Sequence, residues 1–317
     1  MQNAPGQASS MFPNAGQAVL LALGMLTVQI AGVGLLALFA ELTGAQAGFE
    51  ALINPWSLSL INLAAIGLTI AMGLRITRES PRRFFSIRPF APGLLPAIAT
   101  TTLGLVIVLS ETDNLIRELV QLLPGFQDLS HLLKLPEHPV GAFLLVVVIA
   151  PLSEEYLFRG MMLRGLLTRQ RAAGAVWFTA LLFGLVHANL QQLFLGVLIG
   201  AVFGWWYVRT LSTGPCLLGH AGFNAAAWWT LLFPDTLSVL GFNTPGSSIV
   251  HQPWWLTGGG LALIGLGLGW FRLVANSLVT EPPLLADHPV PPCLPVSLPP
   301  APIQEPTIPQ LPASPAS

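Results

Sequence analysis

Eight times between Ala18 and Leu273 the chain runs for some twenty mostly apolar residues, about the length a helix needs to cross the hydrocarbon core of a bilayer. The runs fall near 18–40, 57–76, 93–110, 141–164, 174–191, 192–208, 214–233 and 254–273. In lipid a backbone must satisfy its own polar groups, so runs of this kind fold as helices. Charge argues the same way. Only 9% of the 317 residues are charged, where a soluble domain carries roughly 25%. A water-soluble globule of this length would lack the charge to cover its surface, and a charged disordered chain is excluded equally. Net charge is -1, which leaves no basic footprint for nucleic acid. The predicted fold is all-α: a polytopic transmembrane helix bundle of about eight spans in a lipid bilayer, with a disordered Pro-rich C-terminal tail.

The flanks of the runs refine this reading. Residues 1–17 are small and polar, and no Lys or Arg precedes Arg75, so the first run lacks the positive region of a secretory signal and stays as a span. Residues 281–317 hold 13 prolines and few aromatic residues, a composition that cannot pack a core. Cys216 and Cys293 make neither a disulfide framework nor a metal knuckle. Segment 112–138 mixes Asp113, Arg117, Glu118, Asp128 and Lys134 with leucines, is broken by Pro124 and Pro136, and is expected to be interfacial or a loop. Threading eight spans from a cytoplasmic N-terminus puts 11 of the 13 basic residues on one side, with only Arg117 and Lys134 opposite. By the positive-inside rule both termini are then cytoplasmic, in what is expected to be a bacterial plasma membrane. Gly196, Gly200 and Gly204 in the sixth run, and Gly265 and Gly269 in the eighth, are spaced for close helix approach in lipid.

Ionisable groups inside spans are functional candidates by default. Glu154 and Glu155 follow the apolar run Phe143 to Leu152, and Arg159 stands four residues beyond Glu155 on the same helix face, so these two can neutralise each other. Adjacent residues point about 100° apart on a helix, so Glu154 faces elsewhere and lacks that partner; an acid so placed is the candidate base. For it to reach the next span at depth, the fourth helix must continue through Met161, Met162 and Leu166. Phe183 and His187 share one face of the fifth run, and His220 and Asn224 share one face of the seventh. Together these residues offer a base, a proton carrier and two donors for a developing oxyanion. A His-Glu-x-x-His run and a Gly-x-Ser-x-Gly elbow are both missing from the sequence, which argues against a zincin site or an α/β-hydrolase nucleophile.

Glu154-Glu155-Tyr156-Leu157-Phe158-Arg159 fits a Glu-Glu-x-x-x-Arg motif, Phe183 to His187 fits Phe-x-x-x-His, and His220 to Asn224 fits His-x-x-x-Asn. In that order, on successive spans, they resemble the CPBP family of intramembrane endopeptidases, which takes in the type II CaaX prenyl proteases and proteins linked to bacteriocin processing and self-immunity. The resemblance covers roughly residues 140–235, and 18–139, 236–280 and the tail lie outside it. It implies that Glu154 activates the attacking water with His187 assisting, that His220 and Asn224 stabilise the oxyanion, and that Glu155 and Arg159 support the geometry. The implied substrate is a hydrophobic peptide or a membrane protein. The family has been listed among metalloproteases and also argued to work by a metal-free glutamate mechanism. Two histidines and a carboxylate could hold zinc with an open position, so the cofactor stays open between none and a divalent metal. Oligomeric state is not readable. Two other readings belong to different classes: a proton-coupled transporter, disfavoured because spans one to three carry few ionisable residues, and a non-catalytic immunity-type membrane protein that keeps the motif as structure.

Overall fold

The computed structural model describes residues 12–44, 52–78, 80–121, 137–187, 189–233, 239–242 and 249–278. Eight long helices run through them: α1 (Ala15–Thr43), α2 (Pro55–Thr77), α3 (Leu95–Gln121), α4 (Pro139–Leu166), α5 (Ala172–Leu185), α6 (Leu190–Thr210), α7 (Gly214–Leu232) and α8 (Trp254–Leu278). No strand occurs among the described residues. Most of the N-terminal lead, the core of the expected interfacial segment and the proline-rich tail lie outside the described residues.

The helix starts follow from local chemistry. Asn14 and Gln17 form a reciprocal capping box at α1, Asn54 caps α2 ahead of Pro55, and Asn189 accepts the backbone N–H groups of Gln191 and Gln192 at α6. Six of the eight helices are long and apolar enough to cross a membrane, and the chain is an integral membrane protein. The other two of the eight expected helices are present but shorter or less apolar. Helix α5 has 14 residues, about 21 Å of rise against a hydrocarbon core of about 30 Å. It ends at Leu185, before the expected 191, because the Asn189 cap begins a new helix there. Helix α7 has 19 residues, but His220, Asn224 and its tryptophans lower its hydropathy. Of the segment 112–138, Thr112 to Gln121 continue α3 as helix and not as loop; there Asn114 bonds the Gly241 and Val250 carbonyls and Glu118 lies 3.3 Å from His251.

Helix α4 does continue past the acids, with Glu154 just beyond its midpoint. It is not a uniform α-helix. Wide π-turns over Leu144–Ile149 and Tyr156–Leu163 flank the α-helical segment Ala150–Glu155. Pro151 accounts for the first, since its ring lacks an N–H and crowds the preceding turn. The Ala150 N–H accordingly reaches back five residues to the Leu145 carbonyl.

Two apolar clusters pack the bundle. One gathers Ala18, Leu21, Met25, Ile66, Phe158, Met162 and Phe183 from α1, α2, α4 and α5. The other gathers Leu94, Ile98, Phe203, Trp206, Cys216 and Phe271 from α3, α6, α7 and α8 with the turn before α3. Helices α5 and α6 form a hairpin in which Gly196, Gly200 and Gly204 lie against Gly184, Ala180 and Val176 in turn. A Cβ at Gly200 would stand 2.9 Å from the Ala180 Cα, so this glycine row permits the approach as its spacing predicts. Gly265 and Gly269 do not act this way, with nothing within 4 Å of a Cβ at either. In α8 it is Gly260 and Gly267 that face α3, against Ile107, Val108 and Thr101.

Candidate active site

The site sits at the seam between the two clusters, where α4, α5, α6 and α7 meet. Glu155 is fully buried and Arg159 is 2% exposed. Their spacing on one helix brings Nη1 to Oε1 at 2.9 Å. The guanidinium is held further by the Gly200 carbonyl, accepting from Nη2 at 3.3 Å. It also lies over the rings of Phe183 (4.8 Å) and Phe203 (5.7 Å), one from each cluster, a cation–π arrangement suited to a desolvated cation. A charge buried at this depth requires such partners.

His220 reaches in from α7. Its Nδ1 lies 2.8 Å from Glu155 Oε1, so the nitrogen donates and the carboxylate accepts. Its Nε2 then faces Glu154, 3.8 Å from Oε2. Glu154 is the more open of the two acids, with its side chain 17% exposed against none for Glu155. Four of the six residues expected in the site, Glu154, Glu155, Arg159 and His220, are therefore joined into one polar chain from α4 to α7. The adjacency of the two acids is what makes this work: one face of α4 holds the Arg159–Glu155–His220 chain, and the residue before Glu155 presents a second carboxylate to the far nitrogen of the same imidazole.

The other two are placed nearby with different partners. His187 stands in the turn just after α5. There the helix end leaves the Phe183 carbonyl without its usual amide, because the His187 N–H goes to Gly184 instead. His187 Nδ1 takes up that carbonyl at 2.7 Å, which fixes the proton on Nδ1 and leaves Nε2 as an acceptor. Phe183 packs edge-on against both imidazoles, at 5.2 Å from His187 and 5.7 Å from His220. Among the described residues no hydrogen bond or ion pair joins His187 to Glu154 or His220. Asn224 donates Nδ2 to the Val146 carbonyl at 2.8 Å. That carbonyl is orphaned by the π-turn: the Ala150 N–H serves Leu145, and Pro151 has no N–H to offer. One of the two amide protons of Asn224 is thus engaged by the backbone of α4.

Sequence reading missed the Gly200 and Val146 carbonyls and the Phe203 ring. Backbone acceptors carry no residue signature, and one aromatic among many in an apolar helix carries none either. Ser153 and Ser212 border the polar cluster in sequence but bond elsewhere, to the Ile149 and Arg88 carbonyls. As for a metal, no group of three or more His, Cys, Asp or Glu side chains placed to hold one occurs among the described residues, and in both histidines Nδ1 is the nitrogen already engaged.

Residues 136–226 match the family model of the type II CAAX prenyl endopeptidase, Rce1-like proteins. Comparison with curated proteins and with solved structures yields no match. The matched stretch takes in all of α4 to α6 and α7 as far as Ala226, including each polar residue described above. Residues 136–226 are a Rce1-like domain of the type II CAAX prenyl endopeptidases, consistent with the CPBP family of intramembrane proteases, carried in an integral membrane protein.

Proposed function

We propose that the chain is an intramembrane endopeptidase that cleaves a peptide bond of a membrane-associated or hydrophobic substrate by glutamate-activated water. The observation that carries this reading is the Glu155–His220–Glu154 chain across α4 and α7. In the proposed reaction Glu154 accepts a proton from water as the water oxygen attacks the scissile carbonyl. His187 Nε2, left as an acceptor, orients that water. The oxyanion forms opposite His220 and the second amide proton of Asn224. With Nδ1–H given to Glu155, His220 donates there from Nε2 as imidazolium, and the Glu155 carboxylate fixes the orientation of the ring, as the buried acid does in a Ser-His-Asp triad. The proton taken up by Glu154 passes to the leaving amine as the C–N bond breaks, which returns Glu154 to its carboxylate and leaves His220 as it began. Arg159 holds Glu155, and through it the imidazole, without touching the reacting atoms.

The test is cleavage of a peptide library by purified full-length protein in lipid, beside Glu154→Gln. Cleavage by the wild type, lost in the variant and indifferent to a strong chelator, is the expected result. Cleavage that stops with chelator and returns with added zinc would replace the metal-free scheme. Proton-linked flux without any cleaved product would replace the protease by a transporter.

A further inference from the structure

The last turn of α2 and the short segment from there to the turn before α3 carry Arg75, Arg78, Arg82, Arg83 and Arg88, with one acid, Glu79, among them. Arg75, Arg78, Arg82 and Arg88 are all exposed, and among the described residues none of these four has a hydrogen-bonded or ion-paired side-chain partner. They stand at the end of a membrane-spanning helix, the level at which phospholipid headgroups lie. The inner side of the same segment is tied to both site-bearing helices. On the α4 side the Phe85 ring lies on Tyr156, the neighbour of Glu155, at 4.6 Å between centroids. A Cβ on Gly160 would stand 3.2 Å from the Phe85 Cα. On the α7 side Thr213 Oγ1 donates to the Phe85 carbonyl at 3.1 Å, Ser212 Oγ donates to the Arg88 carbonyl at 2.7 Å, and the Thr213 N–H donates to Ser86 at 3.3 Å.

We propose that the arginine face of residues 75–88 binds the phosphate headgroups of anionic phospholipid, and that this binding tightens the clamp the segment makes between α4 and α7. Arginine is suited to phosphate by its forked donors. Five arginines against the single acid Glu79 leave like charges that repel one another along so short a stretch, and headgroup phosphate relieves that repulsion. A ligand shifts a conformation only through such a difference between states, and here the favoured state is the one with the segment seated on Tyr156 and Thr213. This does not rest on the proteolytic reading, and its readout is not activity.

The experiment is hydrogen exchange of the Thr213 amide in the full chain, held in neutral-detergent micelles and titrated with short-chain phosphatidylglycerol. Exchange should slow severalfold on titration, and added salt should weaken the effect. Each arginine near an anionic surface contributes roughly a fivefold change in affinity, so Arg82→Gln with Arg88→Gln should raise the half-point by about 25-fold. The matching double lysine variant should keep most of the response, which controls for misfolding. Thr213→Val, which removes the Oγ1 bond to Phe85 and keeps the amide, should leave the half-point of a lipid-binding signal unchanged while reducing the slowing of exchange at residue 213. Equal slowing by short-chain phosphatidylcholine, or an unchanged half-point in the glutamine variant, would overturn the proposal. Equal slowing by inositol hexaphosphate without lipid would replace the membrane by a soluble polyphosphate.

Discussion

Glu154 and Glu155 are neighbours with opposite surroundings, and their substitutions should separate. Arg159→Ala leaves Glu155 fully buried with only His220 to compensate, a loss of about 3–5 kcal/mol when a buried pair is broken. A fall in thermal midpoint is the expected outcome. Glu154→Gln keeps shape at a partly open position, so stability should stay within about 0.5 kcal/mol of wild type while cleavage is lost. If the two variants rank the other way in thermal denaturation, the acids have been assigned to each other's roles. The i, i+4 spacing made the Glu155–Arg159 pair legible in the sequence. That His220 binds Glu155 rather than only Glu154 was not, because the angle at which α7 meets α4 depends on packing between the two clusters. The engaged states of His187 and Asn224 were equally hidden, since both partners are carbonyls freed by a helix end or a proline.

The π-turns of α4 explain why a proline sits three residues before the candidate base. If Pro151 orphans the Val146 carbonyl and Asn224 satisfies it, Asn224→Ala is not a clean probe of chemistry. It removes a donor to the oxyanion, which typically costs 100- to 1,000-fold in turnover, and it leaves a carbonyl unpaired, which costs about 1–3 kcal/mol. Pro151→Ala restores an N–H five residues beyond Val146. The stability loss from Asn224→Ala should therefore shrink by about 1 kcal/mol in the Pro151→Ala background, measured as a double-mutant cycle. Additive losses would show that the two residues act independently. At the same scale, the Gly196–Gly200–Gly204 row was legible from its spacing, and Gly200→Val should destabilise the α5–α6 hairpin by about 1–3 kcal/mol. Gly265 and Gly269 carry the same spacing yet touch nothing. Spacing marks a face that can be approached closely, and only the tertiary arrangement decides which face is.

Across the whole molecule the two ends of the bundle differ in kind. The contacts of Phe85 with α4 and α7, and of Arg209 with Asn276 in α8 at 3.1 Å, gather the arginines of 75–88, Arg164, Arg209 and Arg272 at one end, whereas Arg117 lies toward the other. In a Cys293→Ser background, cysteines placed at Ser80 and at Leu240 should label from opposite faces of the membrane, and labelling from one face would sink that topology. The end opposite the arginines is closed by a polar staple between α3 and the chain entering α8. Glu111 accepts from His251 Nδ1 and from the Gln252 N–H, each at 2.8 Å, while Asn114 donates to the Gly241 and Val250 carbonyls at 2.7 and 3.2 Å. The side-chain hydrogen bond to Glu111 raises the His251 pKa above its ordinary value of 6.5; the more distant Glu118 contact, at 3.3 Å on an exposed side chain, is screened by solvent. A histidine whose folded value exceeds its unfolded one binds a proton more tightly when folded. Its contribution is then complete below about pH 6.5 and is lost as pH rises through the folded value. Hydrogen exchange at the Phe242 amide, which is bonded to the Val239 carbonyl, should consequently be slower at pH 6 than the intrinsic pH dependence of exchange accounts for, relative to pH 8. His251→Gln should remove that excess and leave the pH profile at α4 untouched. An equal excess in the variant would assign the pH response to the carboxylates of α3 and not to the histidine between them.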